Sequence, residues 1–333
     1  MTALHSTAFN IRPFREDDRE VITEIGNRDR PAHRQNTAAA WERRDRLRKP
    51  ELVDIRLCAA DPQTDRVLAF LAASDLNTTG FKMADVCDFE ITVDHAHRNQ
   101  GIGTALYDKA FAFATERGAK RMVTGFHEWT PDEPAIAFLK ERGFAEQERE
   151  TPSYLDMATW DPAPFLGSLA QAEAYGAKMF TYADIEDTDE NRRRYYDLEV
   201  PLIYDIPRRD EQPFTFEPFE DWVKFVVERP EWRPELVLLA EVGGEWIGEC
   251  HVVPKLEQPT VGMQWLTGVL KDHRGHGIAT ALKVRAYELA RAAGITVMTT
   301  ENHADNAPML AINTKFGFIP EPSVVVYNKV LHK

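Results

Sequence analysis

Two stretches of this chain recur at nearly one offset. Arg98-Asn99-Gln100-Gly101-Ile102-Gly103-Thr104-Ala105-Leu106 returns as Arg274-Gly275-His276-Gly277-Ile278-Ala279-Thr280-Ala281-Leu282, 176 residues later (274 − 98). The segment from Phe138 to Gly143-Phe144 is echoed by Ile312 to Gly317-Phe318 at an offset of 174 (317 − 143). A period this long lies far outside the roughly 20 to 50 residues of solenoids and propellers, so it marks a duplicated domain. A length of 333 residues agrees, since a single hydrophobic core stops growing below that size and two domains of about 150 residues suit it.

The pattern of elements is similar in the two halves. Asn10 to Phe14 alternates as a short strand, a charged helix starts at Asp17, and Arg56–Ala60 with Val67–Ala73 makes a hairpin about Pro62 to Asp65. A fourth strand, Val86–Val93, leads into the glycine loop, a helix from Gly101 to Arg117, a strand at Arg121–Phe126 and a helix from Asp132 to Arg142. The second half repeats this with strands at Leu236–Val242, Trp246–Val253 and Met263–Leu270, a helix from Gly277 to Ala293, a strand at Thr296–Thr300 and a helix after Asn306. The expected class is α+β, with one mixed sheet per half. The expected division is an N-terminal domain at 1–160, a connecting segment at 161–177 carrying a short helix that Gly176 stops, and a C-terminal domain at 178–333.

Bulk composition narrows the function class. No apolar run approaches the roughly 20 residues that span a bilayer, and the start lacks a signal architecture, so a cytoplasmic protein with no membrane partner is expected. Cys58, Cys87 and Cys250 stand too far apart for a metal pair and read as small buried hydrophobes, so no metal is expected. A formal net charge of −14 argues against nucleic acid, whose phosphates want a basic face. It favours a cationic small molecule, and is also ordinary solubility chemistry.

A segment that leaves a strand, turns on glycines and at once starts a helix presents unpaired backbone N–H groups in one direction, and the helix dipole adds about half a positive charge. That is a pyrophosphate cradle, or simply a tight turn. Spacing excludes two other phosphate sites: there is no GxxxxGK[ST], and neither loop is a full GxGxxG in an early βαβ unit.

The Arg-x-x-Gly-x-Gly/Ala loop, its place after the fourth strand and the later Gly-Phe helix end resemble the GNAT acetyltransferase superfamily in both halves. The tandem layout is similar to that of mycothiol synthase. The resemblance implies that each half is a splayed mixed sheet flanked by helices. It also implies that acetyl-CoA, or another acyl-CoA, lays its pyrophosphate on the loop and its pantetheine along the fourth strand. The implied cofactor contacts are Arg98, Asn99, Gln100, Gly101, Ile102, Gly103 and Thr104 with Val93, and Arg274, Gly275, His276, Gly277, Ile278, Ala279 and Thr280 with Val269 and Leu270. The family's asparagine after the fifth strand corresponds to Asn306, which reads equally as a helix N-cap before Ala307-Pro308. The first half has Asp132 there, an acid where cofactor contacts are implied, so the second half is the expected active site.

Acyl transfer from a thioester to an amine needs a proton acceptor, an oxyanion donor and a leaving thiolate. The tyrosine that the family places as acid on the Gly-Phe helix is replaced by Leu139 and Asn313. Candidate bases are Glu90 on the fourth strand of the first half, and Glu249, Glu301 and Tyr327 for the second; each also reads as a structural side chain. Tyr204, Asp205 and Glu217, in the aromatic and proline-rich stretch Leu198–Phe219, are candidate acceptor contacts, or part of a packed connection. The expected activity is direct transfer of acetyl to a small-molecule primary amine through a ternary complex, with an acyl-CoA-binding sensor or a protein N-acetyltransferase as alternatives. Covalent duplication favours a monomer over a homodimer.

Overall fold

In the computed structural model, residues 9–46, 53–75, 85–128, 133–206, 216–303 and 306–331 are described. The helix start at Asp132 and residues 207–215 of the acceptor stretch lie outside them.

The chain forms two compact units, Met1–Arg149 with Ser323–Lys333, and Glu150–Pro322. In the first, strands β1 (Asn10–Pro13), β2 (Asp54–Ala60), β3 (Val67–Ser74) and β4 (Val86–Val93) pair antiparallel in order. Strand β5 (Arg121–His127) joins β4 in parallel, and β13 (Val324–Val330) closes the sheet antiparallel to β5. Helices α1 (Arg19–Asn27) and α2 (Ala38–Arg46) connect β1 to β2, α3 (Ile102–Glu116) connects β4 to β5, and α4 (Glu133–Glu141) follows β5. Apolar residues of α3 recur at Ile102, Leu106, Ala110 and Phe113, one helical face, and pack with Leu71, Phe89, Met122 and Tyr327. On the other face, Ile22, Ile25 and Trp41 cover Phe70.

The second unit repeats the plan. It holds the end of β6 (Ala145–Asp156), α5 (Leu166–Ala174), β7 (Lys178–Thr181), α6 (Asp189–Tyr204), the short α7 (Phe219–Trp222), β8 (Val237–Val242), β9 (Glu245–Lys255), β10 (Gln258–Val269), α8 (Ile278–Ala292), β11 (Val297–His303), α9 (Ala307–Phe316) and β12 (Ile319–Pro320). Here β7, β8, β9 and β10 pair antiparallel, β11 lies parallel to β10, and residues 150–156 of β6 lie antiparallel to β11. One core lies between the sheet and α5, α8 and α9; another lies beneath α6 and α7.

The expected division at 160 and 178 is not that of the compact units. Residues 150–156, from the first repeat, pair with β11 in the second unit, and the terminal β13 pairs with β5 in the first. The sequence of β6, AEQERETPSYLD, carries too many charges for its strand alternation to show, so this strand was absent from the expected pattern. β13 buries Val325 and Tyr327 in the first unit's core. Tyr327 is thus no candidate for the second unit's site: it stacks on Phe126, and burial raises its hydroxyl pKa.

Candidate functional site

In each unit the parallel pair separates after three residues. β4 pairs with β5 only from Val86 to Asp88, and β10 with β11 only from Val261 to Met263. Beyond these points Glu90 to Val93, and Gln264 to Val269, line an opening in the sheet. The two fourth strands differ. β4 runs in unbroken register with β3, whereas Trp265 is an extra residue in β10, between the pairs Gln264–Val252 and Leu266–His251. Gln264 closes this bulge by donating to the carbonyls of His251 and Leu266, each at 2.9 Å. Bulges of this kind re-aim backbone and side chains beside active sites.

The loops after the two strands are built alike. Gly101 (φ +82°) and Gly277 (φ +73°) occupy the left-handed region immediately before α3 and α8, and neither helix has a side-chain cap. The first-turn N–H groups are left for another acceptor. In both loops the leading arginine folds back onto its own strand: Arg98 Nε donates to the Val93 carbonyl at 3.4 Å, and Arg274 Nε to the Val269 carbonyl at 2.8 Å. Uncapped amides after a left-handed glycine, beside a parted strand pair, fit the pyrophosphate and pantetheine of a CoA thioester in both units.

Their surroundings diverge. Around Gly101 a Cβ would meet nothing within 4 Å, whereas at Gly277 it would meet Gln171 Oε1 and the Ser168 carbonyl at 3.0 Å. Helix α5 holds this second loop: Gln171 Nε2 donates to the Gly275 carbonyl at 3.1 Å, Tyr175 stacks on His276 at 3.8 Å, and its hydroxyl lies 3.0 Å from His273 Nδ1. Sequence reading treated this segment as a connection; the repeat has no first-half counterpart that could have flagged it.

The candidate bases are dispersed. Glu90 is exposed on β4, accepting from Thr92 Oγ1 at 3.3 Å. On its face stands Asp88, whose carboxyl is pushed up to about 7, first by burial and then by Glu90; the sequence pattern gave it no prominence. Glu301 is exposed on β11. Glu249 is fully buried on β9 and accepts from Tyr195 Oη at 2.6 Å, while His251 Nδ1 lies 3.5 Å from the same hydroxyl. Glu199, also on α6, accepts from Trp222 Nε1. Burial, then the neighbouring Glu199, holds Glu249 well above the usual carboxylate range. Burial pushes Glu199 up to about 7 and lowers His251 to about 3. One oxygen of each carboxylate, His251 Nε2 and Arg229 Nε are buried without a partner. Tyr195, Glu199, His251 and Arg229 were not singled out from sequence: Tyr195 and Glu199 follow a run of charges on α6, and His251 and Arg229 lie on other elements with no spacing that links them to Glu249.

Other expected contacts have structural duties. Asp205 is paired with Lys271 at 2.7 Å and Arg274 at 2.5 Å, so it is already neutralised rather than waiting for a cationic acceptor. Tyr204 Oη accepts from the Phe216 amide at 3.2 Å, and Glu217 offers its carbonyl to Tyr196 Oη at 2.8 Å. Asn306 caps α9, accepting from the Met309 amide at 3.4 Å. The three cysteines are free and buried, and no helix among the described residues is long and apolar enough to cross a membrane.

The acetyltransferase (GNAT) family model matches residues 20–144 and 200–318. A mycothiol acetyltransferase from Amycolatopsis mediterranei (strain U-32) is 27% identical over 270 residues, covering 76% of this chain and 79% of that protein. Among solved structures, a tandem GNAT protein from the clavulanic acid biosynthesis pathway superposes with a TM-score of 0.72 at 18% identity, covering 98% of this chain and 99% of that one. A GCN5-related N-acetyltransferase from Sphaerobacter thermophilus gives 0.71 at 16% identity, over 98% and 96% of the two chains. With both halves matched by one family and both built around an uncapped glycine loop at a parted strand pair, this chain belongs to the GNAT acetyltransferase family as a tandem, acetyl-CoA-dependent N-acetyltransferase.

Proposed function

We propose that the chain transfers acetyl directly to a small-molecule primary amine within a ternary complex, and that the second unit is the working site. The observation that carries this reading is the buried Tyr195–Glu249 pair beside the bulged strand β10. The relative named for mycothiol supports a small-molecule acceptor over a protein one.

When bound, acetyl-CoA supplies the activated acetyl group. The loop amides from Gly277 to Thr280 would hold its pyrophosphate, and the free edge of β10 from Leu266 to Val269 its pantetheine. An alkylammonium ion has a pKa near roughly 10.4, far above an ordinary carboxylate. Burial raises the proton affinity of Glu249 towards that of the amine, which makes it a better acceptor than an exposed carboxylate. Glu249 would take the proton that the amine must lose for its nitrogen to attack the acetyl group, with the CoA thiolate as leaving group. Tyr195 fixes one carboxylate oxygen, and the other is buried without a partner among the described residues.

A second reading rests on Asp88: a carboxyl pushed up to about 7 on β4 of the first unit is also a proton acceptor at neutral pH. Release of CoA thiol from acetyl-CoA over a panel of primary amines, followed in Glu249→Gln and Asp88→Asn chains, separates the two. Loss confined to Glu249→Gln supports the second unit. Loss confined to Asp88→Asn overturns that assignment in favour of the first.

A further inference from the structure

Lys283 on α8 is completely buried, although an ammonium ion costs several kcal/mol to remove from water. It donates one hydrogen bond, to Asn313 Oδ1 at 2.5 Å, and lies 5.0 to 5.5 Å from the rings of Tyr287, Phe316 and Phe318. Asn313 Nδ2 in turn donates to Asn302 Oδ1 at 2.5 Å. The direction of this chain is forced. An ammonium has only donors, so it must meet the oxygen of Asn313. The NH2 of Asn313 must then meet the oxygen of Asn302, and the NH2 of Asn302 is left as the outer end. Among the described residues it has no protein acceptor.

That outer end lies at the sheet's opening. Asn302 is half-buried on β11, three residues past Thr299, where β11 leaves β10. Asn313 stands on α9 where the resemblance to the family implies a tyrosine. Nothing comparable exists among the described residues of the first unit: the positions matching Lys283 and Asn313 are Tyr107 and Leu139, and Tyr107 Oη accepts from Lys329 instead. The fold therefore does not require the chain. Amides in series with a buried charge polarise one another, which strengthens the terminal donor.

Resting on the reading that the second unit binds acetyl-CoA, we propose that Lys283, acting through Asn313, positions the side-chain NH2 of Asn302 as a hydrogen-bond donor to a carbonyl of the acyl-pantetheine arm. Lys283 and Asn313 are positioning residues, and Asn302 is the group that makes the contact. Burial lowers the Lys283 pKa to about 8, opposed by Cys250 on β9, so the ammonium form persists at neutral pH.

The test is isothermal titration of acetyl-CoA into full-length chains carrying Gly101→Glu, which silences the first loop, with and without Asn302→Ala, Lys283→Met and both changes together. Asn302→Ala should weaken binding about tenfold, Lys283→Met should weaken it by a similar factor, and the double variant should lose no more than either alone. Thermal unfolding of Asn302→Ala, whose side chain is half exposed, should stay within a few degrees of the parent, keeping the test free of misfolding. Unchanged affinity in Asn302→Ala, or additive losses in the double variant, would overturn the positioning chain alone. Absence of any binding in the Gly101→Glu parent would instead overturn the reading on which it rests.

Discussion

Tyr195 Oη donates a 2.6 Å hydrogen bond to Glu249 Oε2, and neither residue is exposed to solvent. Glu249→Gln keeps the shape and removes the proton acceptor we propose, so acetylation of an amine acceptor should fall about 10² to 10⁴-fold. Affinity for acetyl-CoA, measured by titration, should change little. Tyr195→Phe leaves a buried carboxylate oxygen without its donor and should cost roughly 1–3 kcal/mol in chemical denaturation.

Stability should also respond to pH through Glu199. Its pKa in the folded chain, about 7, lies above the 4.5 of an unperturbed glutamate, so the folded state holds the proton more tightly than the unfolded one. The stabilisation is complete below about pH 4.5 and is lost as pH rises towards 7. His251 works the other way: lowered from 6.5 to about 3, it withdraws stability as pH falls through that interval. Glu199→Gln should remove the first effect and leave the acid-side loss, seen as a changed slope of unfolding midpoint between pH 5 and 7.

The second loop should tolerate substitution less well than the first. Gly101→Ala carries only the strain of a left-handed alanine, about 1–2 kcal/mol. Gly277→Ala adds 3.0 Å contacts with Gln171 and the Ser168 backbone, so its loss in denaturant should be larger. Gln171→Ala combined with Gly277→Ala should recover little, because the Ser168 carbonyl remains.

Deleting residues 323–333 should damage the first unit rather than the second. It strips β5 of an antiparallel neighbour and removes Val325 and Tyr327 from the core around Met122. Hydrogen exchange should show lost protection in β5 and retained protection in β8 and β9.

The glycine loops and the strand–loop–helix order were legible because they rest on local chemistry. Only glycine takes the φ of positions 101 and 277 without strain, and the apolar spacing of α3 and α8 follows directly from helical period. Glu249 was legible as a candidate, but its partners were not. Tyr195 and Glu199 follow the charged run Asp189-Glu190-Asn191-Arg192-Arg193-Arg194 on the same helix, where nothing in the pattern separates a buried acid from a solvated one. Asp205 invited a role in binding that its ion pairs with Lys271 and Arg274 have already filled.

By itself the sequence determined the duplication, the two glycine loops and the family, because each depends on residues a few positions apart. Tertiary structure decided which strand completes which sheet, which carboxylates lose their water and where a lysine is buried. Those outcomes depend on contacts between residues such as Val325 and Tyr327 on β13 and Met122 on β5, or Lys283 on α8 and Asn313 on α9, far apart along the chain. Burial is a property of the packed chain, and no single segment carries it.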